Sequence, residues 1–405
     1  MPARVGSARA AALVALVAAA CGPAIPPVPG KGGPAWRELT SAHFRLWTDA
    51  SSRRAHTLIR QMEHLRQVVY GMAFPDLPGA GQSFVVALRD GDEVGAFVPE
   101  QFQAYASFDD TMRQPMIVYA ADTDESDGHV IAHELTHVIS WNAIHHQPAW
   151  FAEGLAQFFE TVQLDVDRKV VDVGAPLDTI VNELRFRRLK RAEEVMACEQ
   201  VACKDDRFYV TVWAIYSFLA NVRPAELARF QYHLDEVPDD PARAWRDVFP
   251  DLPPRALDAA VRDWLLNGKK TVWHFTVRLD DAATSAPAER ALADADVYAV
   301  RAVLRHGFHP GDPQLARDVA AALALDPTQT IAWTIDAAAG HPPSADQARA
   351  MTAAHPDDWR AWWLLAGALD RKGREAEDAL AHVCALAAQN PAVWSPWRCS
   401  MSITW

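Results

Sequence analysis

An apolar run, Val130-Ile-Ala-His133-Glu134-Leu-Thr-His137-Val-Ile-Ser-Trp141, carries two histidines and a carboxylate on helical spacing. Residues four apart lie one above the other on a helix face, so the imidazoles of His133 and His137 can reach a single ion. Zinc accepts neutral imidazole nitrogens and needs a third protein ligand to form an open catalytic site. Glu134 follows His133 directly and sits near such an ion without having to bind it. There it can take the proton of a zinc-bound water as that water attacks a carbonyl. Standing alone, the pattern is also satisfied by a plain helix with two hydrogen-bonded histidines, because the chain holds 15 histidines.

The surroundings set the fold expectation. His43 to Trp47 alternates like a strand, Ser83 to Leu88 and Pro115 to Ala120 read as two more, and Arg53 to Tyr70 places Leu58, Met62, Leu65 and Val69 on one helical face. The motif helix is expected from Gly128, capped by Asp127, to about Asn142, and Pro148 opens a further helix. Val94 to Ser107, with Phe97, Phe102 and Tyr105, reads as a loop, either beside a cleft or packed down. Beyond residue 170 the pattern is mainly helical, clearest over 207–220 and 224–236.

The second helix carries a carboxylate that can return to the first motif. Pro148-Ala-Trp150-Phe-Ala-Glu153-Gly154-Leu-Ala follows the first motif closely, with Glu153 16 residues after His137 and a turn at Gln147-Pro148 between. The pair of motifs resembles the gluzincin metallopeptidases, and most of all the bacterial peptidase MA-like group. That resemblance implies a zinc-dependent peptidase in which His133, His137 and Glu153 hold Zn2+ and Glu134 is the catalytic base. It also implies an α+β zincin-like domain, a small sheet plus active-site helices, over residues 36–285. Gly154 is expected to let the two helices approach closely. A metzincin site is excluded, because Ser140 and Ala143 stand where that pattern needs glycine and histidine. Gln157 stands where thermolysin-like enzymes carry the aspartate that orients a zinc histidine, which leaves that partner undefined. Glu160, two turns past Glu153, is either that partner or a solvated carboxylate. His145 and His146 fall in the turn and read as surface residues. By the same resemblance Tyr209 is the expected oxyanion donor, with Tyr216 in reserve. A core tyrosine at a helix start is an equal reading of Tyr209.

The ends of the chain speak to compartment and partners. Arg4 and Arg9, the apolar stretch Ala10–Ala20 and then Cys21 resemble a lipoprotein-type signal over residues 1–21, with lipid anchoring through Cys21, or ordinary secretion as the alternative because Ala18 stands where leucine is usual, and a periplasmic or outer-membrane location. Residues 22–35, rich in proline and glycine, are expected to be a tether. The four remaining cysteines, Cys198, Cys203, Cys384 and Cys399, suit local disulfides in an exported chain, with three pairings open and free thiols an alternative. A net charge of −13 argues against a nucleic-acid partner. With 405 residues, more than one core is expected. Residues 286–405 are expected to form an all-α, helical-hairpin domain similar to tetratricopeptide repeats, from Asp326-Pro327, His355-Pro356 and Asn390-Pro391, each ahead of a tryptophan. Two functions are therefore carried forward. One is a zinc peptidase cutting peptide or protein substrates in the envelope. The other is an inactive metal-binding or scaffold lipoprotein that recruits a protein partner through its C-terminal repeats.

Overall fold

The computed structural model describes residues 25–75, 81–98, 104–109, 114–122, 128–176, 180–182, 189–280, 285–369 and 373–388. The signal segment with Cys21, the capping Asp127 and Cys399 lie outside them. Among the described residues no helix is long and apolar enough to cross a membrane.

The chain is α+β and mostly helical, with one six-stranded mixed sheet. Its strands are β1 (Arg37–Thr40), β2 (Phe44–Thr48), β3 (Ser83–Leu88), β4 (Ala104–Asp109), β5 (Gln114–Ala120) and, far along the chain, β9 (Ala288–Ala291). The order is β4-β5-β3-β2-β1-β9; β2, β3 and β5 run parallel, and β1, β4 and β9 each pair antiparallel. A small three-stranded sheet joins β6 (Gln163–Asp165), β7 (Val170–Val173) and β8 (Trp273–Thr276).

Side-chain alternation divides the large sheet into two buried faces. Phe44, Leu46, Val85, Ile117 and Tyr119 point to one core, with Leu58, Met62, Leu65 and Val69 of the Ser52–Ala73 helix and Ile131, Leu135, Val138 and Ile139 of the motif helix. Trp47, Phe84, Val86, Met116 and Val118 point to the other, covered by Val297, Val300, Leu304, Ile331 and Ile335. Parallel strands buried on both faces read as unbroken apolar runs, which is why Ser83–Leu88 was plain in the sequence.

In the C-terminal region Asp294–Phe308 pairs with Pro313–Leu325 and Trp359–Ala368 with Arg374–Ala388, while Thr330–Ala338 packs on the first of these hairpins and Ala345–Ala354 on Trp359–Ala368. Its repeat shows in a shared contact: the Trp333 indole donates to Pro327 O and the Trp362 indole to Pro356 O, both at 2.8 Å. Trp362, rather than Trp359, is therefore the counterpart of Trp333. The layout is compatible with two domains, yet the hairpins do not stand clear of the sheet. β9 extends it, and the Arg290 guanidinium binds both oxygens of the buried Glu38 on β1 at 3.0 Å.

The proline- and glycine-rich segment departs from its expected role as a tether. From Ile25 onward it is docked on the C-terminal helices. Val28 is buried, Pro29–Lys31 forms a turn of 3-10 helix, the Gly30 amide donates to Asp294 Oδ1, and Arg301 donates to Pro26 O. One apolar side chain and satisfied backbone groups are enough to hold a short segment that lacks a core of its own.

Candidate metal centre

The motif helix runs Gly128–Ala143 and packs its apolar residues on the sheet, which leaves His133 and His137 to meet the next helix and Glu134 to meet the backbone of β4 at Ala106. That helix, Ala149–Phe159, starts behind Pro148 and is anchored by Trp150 against Phe230 and Trp245. It lies tight on the Asp206–Val222 helix at Gly154. A Cβ there would come within 3.0 Å of both Val212 O and Tyr216 Cβ, so glycine permits a close approach to this helix and not, as expected from the sequence, to the motif helix.

The two helices bring three ligand atoms into a near-equilateral triangle. His133 Nε2 and His137 Nε2 are 3.2 Å apart, and Glu153 Oε2 lies 3.4 Å from the first and 3.3 Å from the second. Ligands at roughly 2.0–2.1 Å with tetrahedral angles about an ion fall about 3.3–3.4 Å apart, so the triangle fits a small divalent metal. Side-chain exposures are 12%, 11% and 11%, leaving an edge open to a further ligand. His133, His137 and Glu153 are the one group of this kind among the described residues.

Electrostatics favour positive charge at this point. Burial opposes charge on His133, but hydrogen bonds to Glu153 and Glu160, with Glu134 nearby, raise its pKa well above the usual value. Burial likewise works against ionised Glu153, and the adjoining His137 and His133 overcome it and hold the carboxyl well below its usual range. Glu134 is pushed up by burial, with His133 and His137 pulling the other way and the backbone of Ala106 on β4 favouring the charged form.

The partner of His133 left open by Gln157 is Glu160. Its Oε2 accepts from His133 Nδ1 at 2.9 Å, and Gln157 Nε2 donates to the same oxygen at 2.6 Å. A proton held on Nδ1 leaves the Nε2 lone pair free for a metal. His129, one turn earlier, meets the Glu160 carbonyl through Nδ1 at 2.6 Å. His137 is steadied by stacking on Trp141, with ring centroids 5.9 Å apart.

The two tyrosines separate cleanly. Tyr209 lies within electrostatic reach of the site: burial, then the charges of Glu153, Glu134 and Glu160, raise its phenol pKa. Tyr216 is packed in the core between Phe151 and Phe158 and is raised by burial, without a site carboxylate among its causes. His145 and His146 are exposed beside Asp235 and stand apart from the centre. Two features were missed in whole or in part from the sequence, which allowed residues 94–107 a place beside a cleft but not a strand there. β4, read as a loop, places Tyr105 and Ala106 within electrostatic reach of Glu134. Lys204 donates to Glu153 Oε1 at 2.9 Å from a turn closed by the Cys198–Cys203 disulfide.

Fold and site together define a class: an α+β protein with a buried two-histidine, one-carboxylate group able to hold a metal ion. Within it, residues 128–238 match the profile of a family described as "Protein of unknown function (DUF1570)". That match spans the motif helix, Glu153, Glu160, Lys204 and Tyr209. No curated protein matches the chain.

Proposed function

We propose that this chain is a zinc-dependent peptidase of the gluzincin type with a zincin-like catalytic domain, exported by its N-terminal segment and acting on envelope peptides or proteins. The observation that carries the reading is the triangle of His133, His137 and Glu153 with Glu134 on the adjoining position of the same helix. A zinc ion held there would supply Lewis acidity, polarising a substrate carbonyl and acidifying water. Glu134 takes the proton of the attacking water and returns it to the leaving amine, and its raised pKa suits both halves of that task. Tyr209 directs a neutral phenol at the place where negative charge develops on the carbonyl oxygen, since its raised pKa keeps the proton available for donation. Glu160 and Gln157 hold His133 in the tautomer that presents Nε2.

Glu134→Gln tests the mechanism. The variant should retain stoichiometric metal while hydrolysis of casein or a peptide library falls by on the order of 10²–10⁴. Undiminished hydrolysis would remove Glu134 from the chemistry.

A further inference from the structure

We propose that Lys204 is a positioning residue that confines Glu153 to one-oxygen coordination, and so keeps the metal centre open for substrate. This rests on the metal reading above and extends it to a residue that no motif includes. Glu153 has two oxygens with different partners. Oε2 faces the two imidazoles at 3.3 and 3.4 Å, whereas Oε1 is held by Lys204 Nζ at 2.9 Å. A carboxylate with one oxygen engaged by an ammonium cannot offer both to an ion, and a second bound oxygen would fill the position that an open site keeps for water or substrate.

Lys204 is held in place by more than its own stem. It caps the short Val201–Cys203 turn, its amide donating to Val201 O, directly after the cysteine bridged to Cys198. Lys190 Nζ binds Cys203 O at 2.9 Å and Asp205 Oδ1 at 3.0 Å, on either side of Lys204. Asp205 in turn caps the helix that carries Tyr209. Charge gives a second reason for the placement. Glu134, Glu153 and Glu160 converge here, and a divalent ion with one ammonium balances three carboxylates in a site where unmatched charge is costly.

The test compares wild type, Lys204→Met and Lys204→Arg after loading with Co2+, reading the visible d–d absorption and the affinity by chelator competition. Far-UV circular dichroism verifies the fold of each. The wild type should show the intense band of four-coordinate cobalt. Lys204→Met should show a weaker, five-coordinate spectrum as Glu153 becomes bidentate. Its cobalt affinity should tighten by on the order of ten-fold, because a neighbouring positive charge is gone. Lys204→Arg, which keeps a cationic donor, should restore the wild-type band. An unchanged spectrum in Lys204→Met, or weaker metal binding by the folded variant, overturns the role of Lys204 and leaves the metal site standing. Failure of the wild type to take up metal at all overturns both readings.

Discussion

Replacing Glu160 tests whether the centre is built as a metal site and not merely as a cluster of buried polar groups. Glu160 contributes no ligand to the triangle. Its Oε2 receives the His133 Nδ1 proton at 2.9 Å and is itself fixed by Gln157 at 2.6 Å. In Glu160→Ala the imidazole loses a charge-assisted hydrogen bond, and with it both the tautomer preference and the ring orientation that aim Nε2 at the ion. Loss of such a partner costs about 10–100-fold in metal affinity, equivalent to about 1.4–2.7 kcal/mol. Glu160→Gln keeps an acceptor but not the charge, so its loss should lie between alanine and wild type. The assay is competition for Zn2+ against a chromophoric chelator at fixed pH and ionic strength, with isothermal calorimetry as a check. Both variants should keep the thermal midpoint of the metal-free protein, since Glu160 stands at the end of its helix with 18% of its side chain exposed. Equal zinc affinity in wild type and Glu160→Ala would refute the reasoning, because His133 would then need no partner to present its nitrogen.

Tyr209→Phe should lower kcat for peptide hydrolysis by on the order of 10²-fold with metal content unchanged, whereas Tyr216→Phe should leave kcat within a factor of two or so; equal effects would cancel the distinction drawn from their surroundings. A third expectation concerns pH and stability away from the metal. Glu93, buried beside Asp49 and near Arg89, is pushed up to about 7 from 4.5, by burial first and then by the Asp49 charge. A carboxyl whose folded pKa exceeds its unfolded one stabilises the fold fully below about pH 4.5 and loses that contribution as pH rises through about 7. The loss amounts to about 3 kcal/mol by pH 8, and urea unfolding at pH 5 and pH 8 should show Glu93→Gln flattening that decline. An identical pH dependence in the variant would place the titration elsewhere.

How far the sequence discloses this molecule depends on whether each feature is set by spacing along the chain or by the crossing of distant segments. The parallel strands and the four helices nearest the site were legible because periodicity is local: Leu58, Met62, Leu65 and Val69 declare a helix wherever they fall. β9 is different. Ala288, Glu289, Arg290 and Ala291 are all exposed and carry no apolar alternation. They are a strand because β1 offers an unpaired edge and Glu38 a buried carboxylate for Arg290. β4 was read as a loop for a related reason: it is extended by pairing with β5, and its own residues alternate weakly.

The metal centre divides along the same line. His133, Glu134 and His137 are related by one helix, and Glu153 by a helix that a recognisable turn brings back. Glu160 lies at the very end of that helix, so whether it meets His133 or water is settled by the angle at which the two helices cross. Lys204 reaches Glu153 only because a disulfide and Lys190 shape the turn that holds it. The residues able to hold an ion are thus the ones a motif can reveal. The residues that meet those ligands, Glu160 on His133 and Lys204 on Glu153, come from crossings and loops, and a mutational scan confined to the motif would leave them unmeasured.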